Sequence, residues 1–120
     1  MDASKTKMQT CTERLTELFR FRGEQEVKAF LDKHDDLAPL LIEATAPIRR
    51  LFGEKTPVVL EVFRDPEAEE DESELFALIQ TNLPVEEARG LRAQLDEEWW
   101  LENSARADCR LNIDVEFRHV

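Results

Sequence analysis

The apolar residues of this 120-residue chain change their spacing part-way along, and a fold of one secondary-structure class cannot satisfy both spacings. Up to Phe52 they recur every three or four residues, the period of a helix buried on one side. From Pro57 onward the chain carries runs whose alternate residues share a face, the period of a strand. The clearest closes the sequence. Leu111, Ile113, Val115 and Phe117 alternate with Asn112, Asp114, Glu116 and Arg118, which predicts a strand with one dry face and one wet face.

Residues 1–7 are polar and expected to fray. Met8, Cys11, Leu15, Leu18 and Phe19 predict an additional N-terminal helix over 8–23, stopped by Gly23, which takes φ > 0 without a Cβ clash. Val27, Phe30 and Leu31 mark a second helix ending near His34. Leu37, Leu40, Leu41, Ala44, Ile48, Leu51 and Phe52 mark a third, with Asp35 or Asp36 as N-cap and Gly53 as its end. Pro39 sits harmlessly in its first turn, whereas Pro47 predicts a kink or break at 43–46.

Residues 57–64 and 74–81 predict two strands, with Val58, Leu60 and Val62 on one face of the first. The polar link between them makes an antiparallel hairpin. A helix then starts at Pro84, with Val85, Ala88, Leu91, Leu95 and Trp99 as its buried stripe and 103–109 as an exit loop. The expected fold is therefore one α+β domain over 1–120, in which N-terminal helices precede β-β-α-β. Its sheet is expected to be three-stranded and antiparallel, in the order 2-1-3, covered by helices.

Charge decides which partners are plausible. Sixteen Lys and Arg face 27 Asp and Glu, a net −11, which repels nucleic-acid backbones and anionic lipid. The expectation is no direct nucleic acid and no membrane. No apolar run reaches the ~18 residues of a membrane span, and the first ten residues lack the apolar core of a secretory signal. The two cysteines, Cys11 and Cys109, form no CxxC and suit a reducing cytoplasm.

The same inventory leaves no catalytic residue and no cofactor to expect. With two histidines and three glycines, the chain builds neither a His-rich metal site nor a glycine-rich phosphate loop, and no GxSxG occurs. His34, in KHDD, reads as a helix C-terminus followed by acidic caps. Acid is the one abundant functional group, densest at 65–74, where Asp65, Glu67 and Glu70 are candidate contacts for a basic partner. The alternative there is divalent-cation binding by a metal-dependent enzyme, against which the loop lacks the glycine and spacing of an EF-hand. In DEEWWL, Trp99 continues the buried stripe, so Trp100 falls on the flank about 100° away. Trp100, with Glu97 beside it, is the other candidate protein-binding site. A structural homodimer through the first helix is a third reading.

The runs FLDKHDDLAPLLIEATAPIRRLFG, VVLEVFRDPE, ELFALIQTNLPVEEA, LDEEWWLENSARA and LNIDVEFR together resemble a group of small uncharacterised bacterial proteins. Those proteins share the order LPLL–FG–LEV–DPE–TNL–EEA–DEEWW–EF, with DPE and DEEWW the most specific pieces. The resemblance covers 30–118 and implies no established activity. It is similar to the small acidic products that accompany a toxin or nuclease gene. The function expected is a non-enzymatic acidic binding or adaptor protein, antitoxin-like, with a basic protein partner.

Overall fold

The computed structural model of the chain describes residues 14–64, 67, 73–107 and 110–117. The expected fraying of 1–7 and most of the proposed 8–23 helix lie outside these residues. What is described of that segment is helical only at 14–18, where Leu15 is buried and the Phe19 amide donates to the Leu15 carbonyl.

The chain then leaves the helix. Arg20–Arg22 forms a strand, β1, and Gly23, at φ 75°, starts the next helix instead of ending the first. The physical reason lies in the triplet itself. Phe21 packs on the core while Arg20 and Arg22 point away, an alternation too short to stand out in the sequence.

Two helices follow, α1 (Glu24–Lys33) and α2 (Leu37–Phe52), which bury the expected residues Val27, Phe30, Leu31, Leu37, Leu40, Leu41, Ala44 and Ile48. His34 caps α1 as expected, its backbone N–H donating to Phe30 O at 3.0 Å. Asp36 occupies the N-cap position of α2 but makes no side-chain cap. The expected break at 43–46 is absent. α2 runs through Pro47, whose buried ring replaces the one N–H that would have reached Glu43. Thr45 Oγ1 donates to Ile42 O at 2.7 Å, one carbonyl before that of Glu43.

Gly53 ends α2 at φ 115°, and Thr56 Oγ1 donates to the orphan carbonyl of Phe52 at 2.7 Å. Strands β2 (Val58–Phe63) and β3 (Glu74–Thr81) pair antiparallel, as expected of a hairpin. One continuous helical segment then runs from 85 to 107. It comprises α3 (Val85–Leu95), a π-helical turn at Asp96–Trp100, and α4 (Leu101–Ala107). Residues 103–107 are thus helix, not exit loop. Asn103 Nδ2 donates to Trp99 O at 2.8 Å and Ser104 Oγ to Leu101 O at 3.3 Å, so these polar residues bond back onto the helix. Val85, expected in the buried stripe, is 48% exposed, because the stripe begins one turn later at Ala88.

The chain is α+β, but its sheet corrects the expectation. It has four strands in the order β1-β2-β3-β4, with β4 being Leu111–Phe117. β2–β3 is antiparallel; β1–β2 and β3–β4 are parallel. The edge of β2 that the last strand was expected to take is already occupied by β1. The long helix returns the chain to the start of β3, so β4 enters beside it and parallel to it.

All the helices contribute to a single core on one face of this sheet. From the strands that core takes Val58, Leu60, Leu75, Ala77, Ile79, Leu111 and Ile113. Among the described residues no helix covers the other face.

Candidate binding face

Strand period and register together determine what the uncovered face carries. Pairing of Glu61 with Phe76 and of Phe76 with Asn112 puts the odd residues of β2 in line with the even residues of β3 and β4. Side by side across the face lie Arg20, Val59, Leu78 and Asp114. The next row is Arg22, Glu61, Phe76 and Asn112. Beyond these rows, Phe63 pairs with Glu74 at one end and Gln80 with Glu116 at the other.

Phe63 is 46% exposed and meets Phe76 edge-on, with ring centroids 4.7 Å apart at 77°. Leu78 extends this apolar patch. Together with Arg64, Glu74, Asp114, Val115 and Glu116 these residues line a groove of about 670 Å³. Asn112 Nδ2 donates to Glu74 at 3.0 Å, and Arg64 Nε lies 3.4 Å from Ser73 Oγ.

One polar bridge crosses the whole sheet. Arg22, on the outermost strand β1, grips Glu116, on the opposite outermost strand β4, through two bonds of 2.8 and 3.0 Å. Glu61 lies 3.3 Å from the same guanidinium, and Gln80 Nε2 donates to Glu116 at 2.9 Å. Four strands span about 14 Å at their usual spacing, so this contact needs a diagonal that is concave on this face, which sheet twist supplies. Val59, in the row between those of Arg22 and Glu116, is 4% exposed although it belongs to this face. Hydrogen bonds from Arg22 and then Gln80 hold the Glu116 carboxyl down at about 2, and the bond to Glu116 raises Arg22 above its ordinary value.

The residues predicted from the sequence do not meet here. Trp100 belongs to the π-helical turn, in the helical layer, and is half-buried against the core. The wide turn is closed by the Leu101 N–H donating to Asp96 O, five residues back. It brings Trp99 and Trp100 together as a stacked pair, with centroids 5.9 Å apart at 26°. Glu97 is exposed on the same turn and Glu67 is exposed in the β2–β3 connection. Asp65 and Glu70 lie outside the described residues, as does most of the 65–74 acidic run. Among the described residues no group of three His, Cys, Asp or Glu side chains could hold a metal ion, and no helix is long and apolar enough to cross a membrane.

The residues that build the groove were passed over for a local reason. Leu75 to Ile79 is apolar on both faces of β3, so nothing in the run separates Phe76 and Leu78, on the open side, from the core residues beside them. The unbroken run was itself the available signal, because a strand wet on one side alternates. Compared with known proteins, the chain matches no family model, no curated protein and no solved structure.

Proposed function

We propose that the chain is a non-catalytic acidic binding protein, of adaptor or antitoxin type, that engages a basic protein partner through the open face of its sheet. The observation that supports this most is the uncovered face itself. Phe63, Phe76 and Leu78 stand there beside Glu74, Asp114 and Glu116, around a groove of about 670 Å³. An apolar centre with a polar rim is the usual anatomy of a protein-binding patch. The net charge of −11 favours a cationic partner and speeds its approach.

This reading moves the interface away from Trp100, which spends its indole on Trp99 and the core. It includes kinship of residues 30–118 with the small bacterial proteins that share DPE and DEEWW. It also includes a reducing cytoplasmic setting, on the cysteine usage. The test is affinity capture from a lysate of the source organism, with wild-type chain beside the double variant Phe63→Ser/Phe76→Ser. A basic protein retained by the first and lost by the second supports the reading. Equal recovery of every protein ends it.

A further inference from the structure

Resting on the reading of the open face as the interface, we propose that the element it receives is a cationic amphipathic helix laid on the face, rather than a strand added to an edge of the sheet. Both edges argue against strand addition. β1 offers only Arg20–Arg22, too short a template. β4 is longer, but its outward backbone groups are already engaged at its centre.

Leu75 N–H donates to Arg110 O, so the even residues of β4 turn their backbone groups to β3 and the odd residues turn theirs outward. The outward carbonyl of Ile113 accepts two bonds from Arg92, at 2.8 and 3.1 Å. The outward N–H of Val115 donates to Asp114 Oδ1 at 2.8 Å. Arg92 is itself fixed by Asp96 at 3.1 Å and lies 3.4 Å from Asp114. A strand arriving at β4 would have to displace these groups before forming its ladder.

The face suits a helix in size and charge. The three strands that line the groove, β2 to β4, span about 10 Å, close to the 10–12 Å diameter of a helix. Phe63, Phe76 and Leu78 offer apolar contact to side chains recurring at three and four. Glu74 and Asp114 stand beside them, each also paired within the chain, Glu74 with Asn112 and Asp114 with Val115 N–H and Arg92, while Glu116 is engaged by Arg22 and Arg64 rests near Ser73. A second copy of the chain would bring another −11 to the face, which makes it the poorer occupant.

The test titrates the full chain with a Leu/Lys peptide of about 18 residues patterned as an amphipathic helix, at physiological ionic strength. The controls are a peptide of the same composition with strict Leu–Lys alternation and a shuffled one. Binding is read by fluorescence anisotropy, and melting curves establish that every variant is folded. The helical peptide is expected to bind at least about tenfold tighter than either control, and Phe76→Ser/Leu78→Ser to remove most of that advantage. Equal binding of all three peptides, or binding untouched by Phe76→Ser/Leu78→Ser, overturns the proposal, since net charge alone would then explain it. Preference for the alternating peptide overturns it in favour of an edge. A concentration-dependent dimer abolished by the same double variant overturns it in favour of a second copy. If the helix claim fails while lysate capture still depends on Phe63 and Phe76, the interface reading stands alone; if capture is also unaffected, both are wrong.

Discussion

Replacing Glu116 by Gln tests whether the bridge across the sheet is worth anything to the fold. The substitution keeps the size of the side chain, removes the charge opposite Arg22 and turns one of the two oxygens that accept from its guanidinium into an N–H donor. Lowering of the Glu116 carboxyl from 4.5 to about 2 corresponds to about 3 kcal/mol if all of it reached stability. It does not, because the side chains of Arg22 and Glu116 are 45% and 31% exposed, and water screens them. A contribution of about 1 kcal/mol is the expected value, worth about 4 °C in a domain of this size.

The folded state favours the carboxylate, so the contribution is present in full above the unfolded value of 4.5. It fades as the pH falls through 4.5 towards about 2. Urea melts of wild type, Arg22→Met, Glu116→Gln and the double variant complete a cycle in which Met keeps an unbranched aliphatic side chain at position 22. The coupling energy at pH 7 should be about 1 kcal/mol and should shrink steadily between pH 5 and pH 3. A coupling within about 0.3 kcal/mol of zero at pH 7, or one that does not change with pH, would refute the reasoning.

The two glycine positions should respond in opposite directions. Gly90 lies inside α3 with open space where a Cβ would go, so Gly90→Ala should stabilise by about 0.5–1 kcal/mol in thermal melts. Gly53→Ala should destabilise, since φ 115° strains any residue with a Cβ and Thr56 Oγ1 stands 3.3 Å from where it would sit. Leu60 is wholly buried at the centre of the covered face, and Leu60→Ala should cost about 2–5 kcal/mol by denaturant unfolding. Arg92→Ala should free the outward Ile113 carbonyl, and sedimentation velocity should then record a larger fraction of associated species than wild type at equal concentration.

Much of the architecture was legible because it is written in local spacing. Val27, Phe30 and Leu31, the stripe from Leu37 to Ile48, and the alternation through Leu60 and Ile113 each announce a period, and a period selects the element and its buried side. Where a single residue type was read as a boundary, the neighbours prevailed. Pro47 did not break α2, Gly23 started a helix, and Asn103 and Ser104 continued one. Pro47 is buried and the Asn103 and Ser104 side chains bond back to the helix, whereas Gly23 is exposed and starts α1 through its backbone, its carbonyl accepting from Val27 N–H.

The binding face was hidden from such reading for a different reason. Its residues come from all four strands, between 20 and 116 in the sequence, and no local pattern records that they are neighbours. By itself the sequence determined the α+β class, the faces that helices and strands turn to the core, and a surface dominated by carboxylates. Only the tertiary structure decided that three residues, Arg20–Arg22, would claim the edge of β2. With that edge taken, β4 pairs on the far side of β3, and Arg22 and Glu116 meet across the face between them. Side-chain period is a property of adjacent residues, whereas an edge is won by whichever distant segment pairs with it first and best, and only the folded chain holds that competition.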